Sequence, residues 1–180
     1  MSNIGRLLRY DWPLHFVLLL TNWLPDNVQI LRLRGFLARP FFRKCGKNLR
    51  LGRNITFYNP VNITIGSNVY IALGNWFMAA ESITIGDQAL FGPYNVIVTS
   101  NHTMHDGSFR YGKPVKGPIH IGNGAWVGAS CTILKGITVG NGSAVGANSV
   151  VVKDVPPFTV VGGNPAKELK KLNQPEQIEE

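Results

Sequence analysis

The amino-acid sequence predicts an all-β solenoid of short parallel strands wound as a three-sided coil, with apolar helical segments ahead of it and one protruding loop. Three observations lead there. From Ile121 the chain reads "IGNGAW VGASCT ILKGIT VGNGSA VGANSV VVKDVP", six consecutive hexapeptides led by Ile121, Val127, Ile133, Val139, Val145 and Val151. The same beat runs upstream through Leu51, Phe57, Ile65, Ile71, Phe77, Ile85, Phe91 and Ile97, once "FYNPVNIT" and "FMAAESIT" are allowed eight residues each. Between the two runs, "TSNHTMHDGSF" at 99–109 drops the beat while carrying two of the four histidines.

A period of six suits neither an amphipathic helix nor a lone strand, but it suits a solenoid whose short strands turn corners and stack on earlier ones. Alternate strand residues face opposite ways, so each leading aliphatic points inward together with the residue two before it, such as Ile119 or Ala125. Each buried Ile or Val contributes roughly 1.5–3 kcal/mol, and stacked from coil to coil they form one continuous core. Small residues at other inward sites, Cys131, Ser143 and Ser149, suit a narrow lumen. Glycine often follows the leading residue, as at Gly52, Gly66, Gly128 and Gly146, where a tight corner is expected to need backbone angles that side chains resist. The two eight-residue steps are expected as bulged corners, and Pro156 and Pro157 as the end of the array.

In chain order, residues 1–50 are expected as a basic, apolar helical segment and 51–156 as the coil, with its loop at 99–118. Residues 157–180 are expected as a short helix on "PAKELKKL" and a tail. At 180 residues, 44% hydrophobic and 16% charged, the chain has the composition of one soluble domain with one core. Its two thiols, Cys45 and Cys131, form no metal-ligand spacing and agree with a reducing cytoplasm.

Residues 1–53 hold ten Lys or Arg against Asp11 and Asp26, so the whole net charge of +8 lies there. Within that segment "DWPLHFVLLLTNWLP" is apolar, with Trp12 and Trp23 near its ends. As a helix it reaches about 22 Å, short of a hydrocarbon core of roughly 30 Å. Pro13, His15 and the lack of a small-x-small cleavage site argue against a signal peptide. Two readings stay open: helices that cap the first coil or pack between subunits, and a peripheral contact with an anionic membrane. The charge comes without a recognised nucleic-acid module, which argues against that class of partner.

The repeats, a histidine-bearing loop, Trp126 ahead of the next coil and "GGNPAK" after the last coil resemble, in that order, the hexapeptide-repeat acyltransferases over about residues 51–172. The resemblance implies a left-handed parallel β-helix, against the usual right-handed rule for parallel crossovers. It also implies acetyl-CoA as acyl donor and a homotrimer with sites between neighbouring subunits; no metal is expected, because no cluster in the sequence has convincing ligand geometry. His102, 24 residues before Trp126, stands where the galactoside and maltose acetyltransferase branch carries its catalytic base. An imidazole that titrates near neutral pH is a natural acceptor for the proton of an attacking sugar hydroxyl. In "WVGAS", Ala129 matches the position whose backbone N–H receives the oxyanion. His105 and Asp106 are candidates for orienting His102, with a simple loop turn as the alternative.

The family's cofactor groove maps onto Trp126, Ala129, Ala147, Val152, Lys153 and Lys167, where the two lysines would meet phosphates as point charges or else be ordinary surface residues. On the acceptor side Tyr70 matches a residue of the galactoside branch, but the Asn of that branch two positions later is Ala72 here. Asn75 and Trp76 are the nearby candidates. The basic, apolar start is more like that of transferases acting on capsule or O-antigen. The acceptor is therefore expected to be a hydroxyl, less readily an amine, of a bacterial surface glycan or its lipid-linked precursor, with a small free sugar as the alternative. A cytoplasmic enzyme, peripheral on the inner face of the membrane in the second reading of the N-terminus, is the corresponding location. Two rivals are weaker: a non-catalytic scaffold, and a carbonic-anhydrase-like enzyme using His102, His105 and His120, whose spacing does not match.

Overall fold

The computed structural model describes residues 3–174. The chain begins with α1 (Asn3–Arg6), a π-helical segment at Leu7–Asp11, α2 (Trp12–Thr21) and α3 (Val28–Ala38). Pro13 lies in the first turn of α2, directly after the π-helical segment, where a residue without an N–H cannot continue the i→i−4 ladder. Asn27 caps α3, its side-chain oxygen accepting from the Ile30 N–H at 3.0 Å.

The first coil comprises β1 (Lys44–Cys45), β2 (Arg50–Leu51) and β3 (Thr56–Tyr58); the second, β4 (Ile63–Ile65), β5 (Tyr70–Ile71) and β6 (Trp76–Met78). The third comprises β7 (Ile83–Ile85), β8 (Leu90–Phe91) and β9 (Val96–Val98). A hairpin of β10 (Ser100–Asn101) and β11 (Val115–Lys116) forms the base of the loop. Then follow β12 (Ile119–Ile121), β13 (Trp126–Val127) and β14 (Thr132–Ile133), and β15 (Thr138–Val139), β16 (Ala144–Val145) and β17 (Val150–Val151). The strands stack into three parallel sheets: β1-β4-β7-β12-β15 (first), β2-β5-β8-β13-β16-β18 (second) and β3-β6-β9-β14-β17 (third), where β18 is Thr159–Gly162.

Both ends of the array depart from expectation. It begins at Lys44 rather than Leu51, and it does not stop at Pro156 and Pro157, because Val155 bridges to Val139 and β18 pairs with β16. "PAKELKKL" is not a helix. Its residues Lys167–Lys171 form β19, antiparallel to β18. An open rung offers a row of unpaired backbone groups, and a strand rich in lysine both satisfies them and discourages further pairing. The last part of the expected tail, residues 175–180, lies outside the described residues.

The lumen follows the hexapeptide rule. Every leading residue from Leu51 to Val151 is buried. Near the first coils it is filled by an aromatic ladder, Phe42–Phe57–Phe77–Phe91, with centroid spacings of 4.9, 5.1 and 5.5 Å. Toward the other end Ile and Val take over. The helices cover the open end of this core: Leu14 and Leu18 of α2 and Ala38 of α3 belong to it, and Gly35 approaches so closely that a Cβ would collide with the Leu49 carbonyl.

The glycines that follow the leading residues have a different reason from the one expected. None of Gly52, Gly66, Gly128 and Gly146 adopts positive φ; the left-handed positions lie elsewhere in the corners, shared by other glycines such as Gly74 and Gly124 and by Asn48, Asn54, Asn68 and Asn148. What three of them lack room for is a side chain. A Cβ on Gly66 would lie 2.6 Å from the Asp87 nitrogen, and one on Gly128 2.7 Å from the Ala147 nitrogen. Gly146, near the last rung, is less confined.

One corner is wide. Between the third sheet and the first, the chain takes a 3₁₀ turn at Pro60–Asn62, then the longer step after β6, then the whole loop 99–118. Buried Thr99 pins the loop base. Its Oγ1 donates to the Met78 carbonyl and accepts from the Glu81 N–H, both at 2.9 Å, while its carbonyl accepts from Gly117 N–H at 3.0 Å.

Candidate active site

His102 follows β10 directly and is exposed, with no hydrogen bond to any described residue. The loop is held around it by its own bonds: Thr103 Oγ1 donates to the Lys113 carbonyl at 2.7 Å, and His105 and Ser108 exchange backbone bonds at 2.9 Å. Asp106, at φ +48°, sits in the tight turn that this exchange closes. Its carboxylate therefore lies 3.3 Å from His105 Nε2, and the orienting role considered for Asp106 on His102 has no contact behind it. Met104, Phe109 and Tyr111 are exposed on the same loop. They escaped the sequence reading, although apolar residues within a Gly- and Pro-rich loop were the available signal.

The coil supplies a second group of candidates. Trp126 points outward from β13, in one column with Tyr70, Leu90 and Ala144 on the second sheet. At the corner between second and third sheets, equivalent backbone amides stack at Arg53, Leu73, Ala129, Ala147 and Gly163. In the first coil the Arg53 N–H donates to an Asp26 carboxylate oxygen at 3.2 Å, and in the last the Gly163 N–H donates to Ser149 Oγ at 3.0 Å. Those of Ala129 and Ala147 have no acceptor among the described residues. These amides are free donors in a column where one member already holds a carboxylate oxygen.

Val152, Lys153 and Lys167 come together with Pro165 and Ala166 around a cleft of about 440 Å³. Lys167 reaches it from a strand rather than from the expected helix. Asn75 does not face an acceptor. It is fully buried, its amide donating to the carbonyls of Ala72 at 2.7 Å and Gly92 at 2.9 Å while its oxygen accepts from the Asn95 N–H at 3.3 Å. Asn95 repeats the arrangement one coil on, accepting from the Cys131 N–H at 2.8 Å. An amide at an inward corner is there to satisfy backbone groups that the turn leaves unpaired. Trp76, next to it, points outward from the third sheet and is exposed.

The candidates thus fall on two edges of the third sheet. His102, Val152 and Lys153 lie at its corner with the first sheet; Ala129 and Ala147 lie at its corner with the second. Among the described residues no hydrogen bond joins the loop to Trp126 or Ala129. His120 points outward from the first sheet between Thr84 and Thr138, and no three His, Cys, Asp or Glu side chains of the described residues gather as a ligand set.

A three-sided parallel solenoid with a histidine loop at one corner and free amides at another defines the class of hexapeptide-repeat transferases. Residues 118–153 match the family model described as bacterial transferase hexapeptide (six repeats). The galactoside O-acetyltransferase of Escherichia coli is 31% identical over 140 residues, covering 78% of this chain and 69% of that enzyme. A solved galactoside acetyltransferase in complex with coenzyme A is 29% identical with a TM-score of 0.81, over 96% of this chain and 84% of that one. A hexapeptide-repeat acetyltransferase from Vibrio cholerae O1 biovar eltor, complexed with acetyl-coenzyme A, is 30% identical with a TM-score of 0.76, over 96% and 91%. The chain belongs to the hexapeptide-repeat acetyltransferase family, and its coil is the left-handed parallel β-helix of that family.

Proposed function

We propose that this chain is an acetyl-CoA-dependent O-acetyltransferase acting on a saccharide hydroxyl of a bacterial surface glycan or its lipid-linked precursor. It would work in the cytoplasm, at the inner face of the membrane. The observation that carries the transfer reading is that one chain presents both a free loop imidazole, His102, at one edge of the third sheet and unengaged amides, Ala129 and Ala147, at the other. Coenzyme A fits the residues at hand. The alanines leave the amide column uncovered by long side chains, and the Val152–Lys153–Lys167 cleft offers apolar surface and two cations for phosphates beside two carboxylates, Asp154, which accepts from the Thr138 N–H at 2.7 Å, and Glu168.

His102 takes the proton of the acceptor hydroxyl as its oxygen bonds to the thioester carbonyl carbon. The Ala129 N–H donates to the oxygen that gains negative charge. The carbon–sulfur bond then breaks, and His102 returns its proton to the departing thiolate. Because His102 and the alanine amides lie on opposite edges of one sheet, the reading includes a cyclic trimer in which one subunit's loop meets its neighbour's coil. The exposed Met104, Phe109 and Tyr111 suit a loop that packs on a second chain. For the acceptor, Ala72 offers no polar group where the galactoside branch carries Asn, which favours a glycan other than a free galactoside.

The test is thiol release from acetyl-CoA by purified enzyme with polysaccharides, lipid-linked oligosaccharides and free sugars as acceptors. Release with the glycan acceptors is expected, and His102→Ala should lower turnover roughly 10²–10⁴-fold with coenzyme A affinity nearly unchanged. Mixing His102→Ala chains with Ala147→Trp chains should restore part of the activity. Near-wild-type turnover of His102→Ala removes the base, and a fully active monomer removes the shared site.

A further inference from the structure

The helices carry a second apolar side that the coil does not use. Leu14 and Leu18 of α2 are buried against the coil, yet the opposite side of the segment is equally apolar. Leu8, Trp12, Phe16 and Leu20 follow at four-residue steps, the spacing of neighbours along one helix face. They are 52–69% exposed, and Trp23 beyond them is 78% exposed. On α3, Phe36 is 70% exposed and lines one small hollow together with Arg32 and Arg39.

Charge decides what covers this face. Up to residue 53 the acids are Asp11, held by Arg6, and Asp26, held by Arg34 and Arg53. Exposed Arg9, Arg32, Arg43, Lys44 and Lys47 keep their charge uncompensated by any carboxylate of the segment. A second copy would set this positive surface against itself. An anionic bilayer offers opposite charge at the headgroups and an apolar layer beneath them, with the amphipathic Trp rings suited to the boundary. No helix of the described residues is long and apolar enough to cross a membrane, so the contact lies in the plane.

We propose that the outer face of α2 and α3 is a docking surface for an anionic phospholipid bilayer. The proposal deepens the lipid-linked-acceptor reading and rests on it for its use in the cell. Docking itself is measured without acceptor or acetyl-CoA, so its failure and the failure of transfer are separate results.

The intact chain should cosediment with vesicles of phosphatidylglycerol and phosphatidylcholine but not with phosphatidylcholine alone, and high salt should release only part of it. Replacing Arg9, Arg32 and Arg43 together by Gln should weaken binding about 10²-fold. Trp12→Ser, Phe16→Ser and Leu20→Ser together should abolish the salt-resistant part. A Trp76→Phe, Trp126→Phe chain leaves the face untouched, and brominated lipid should quench its remaining Trp12 and Trp23 fluorescence. No cosedimentation of the intact chain at low salt, or no quenching, overturns the proposal. So does sedimentation showing that the face variants dissociate a larger assembly, because the face is then an interface between copies.

Discussion

Arg34 looks, in the sequence, like one more member of a basic surface, and the structure makes it a buried tie. Its side chain is fully buried. Nη1 donates to the Leu51 carbonyl at 2.6 Å and to Asp26 Oδ1 at 3.0 Å, Nη2 to the Thr21 carbonyl at 3.0 Å, and Nε to Thr21 Oγ1 at 3.3 Å. One guanidinium thereby joins the end of α2, the connection to α3 and the strand β2. Arg34→Met keeps most of the volume and leaves the two carbonyls without these donors, at about 1–3 kcal/mol each. Asp26 loses one partner but retains the Arg53 N–H at 3.2 Å, so it is not stranded, and the desolvation of Arg34 is no longer incurred. The net loss is therefore expected at about 2–4 kcal/mol. Urea unfolding followed by circular dichroism measures it, with exposed Arg32→Met as a control within about 0.5 kcal/mol of the native chain. If Arg34→Met is as stable as that control, the tie contributes nothing and the reasoning is refuted.

Asn75 and Trp76 should separate cleanly: Asn75→Val should cost about 2–4 kcal/mol of stability through unpaired corner groups. Trp76→Ala should leave stability within about 1 kcal/mol and act on acceptor KM. An Asn75→Val chain that is stable but has lost acceptor turnover would return Asn75 to the substrate. The thiols should be inert in the folded enzyme, because burial pushes the Cys45 thiol up to about 11, against a lowering by Arg39, and also raises that of Cys131. Labelling with a disulfide reagent at pH 8 should be slow for both, should speed up for Cys45 as pH climbs toward its raised value, and should be complete on unfolding. Fast labelling of a folded thiol at pH 8 would contradict this.

The coil was legible because its signal is redundant. Ile121, Val127 and their successors each repeat the same inward demand, so an error at one position is outvoted by the rest. Isolated decisions were not legible. "KELKK" has good helix formers, yet Lys167–Lys171 pair with β18 because an exposed rung lies beside them. Arg32 and Arg34 differ by two residues in sequence and by a half-turn in direction, which only the packing of α3 assigns. Asn75 reads as a polar residue beside a candidate site, but its side chain turns inward with the corner. For Asp106, the turn that aims it at His105 depends on a backbone exchange between His105 and Ser108 that no residue type announces.

The helices and the candidate site are also related by position. The Asp11 carboxylate accepts from the Asn59 N–H at 3.2 Å, and Asn22 accepts from the Asn54 N–H at 3.0 Å. Asn59 belongs to the wide corner of the first coil and Asn54 to the corner between second and third sheets. The segment from Asp11 to Asn22 therefore runs along β3, across the top of the third sheet, whose two edges carry His102 on one side and Ala129 and Ala147 on the other. From β3 down to β9, which leads into His102, there are two steps of roughly 4.8 Å, and to β14, beside Ala129, three, so the depths are about 10 and 14 Å. A bilayer docked on the outer helical face would then lie farther than those depths from the reacting groups, by the thickness of the intervening helix, roughly 10 Å. That separation is too long for a lipid headgroup to reach His102 and suits a saccharide several bonds removed from its lipid. The same geometry gives the wide corner a use: the three successive enlargements, at Pro60–Asn62, after β6 and at 99–118, lie along the edge down which such a chain would have to run.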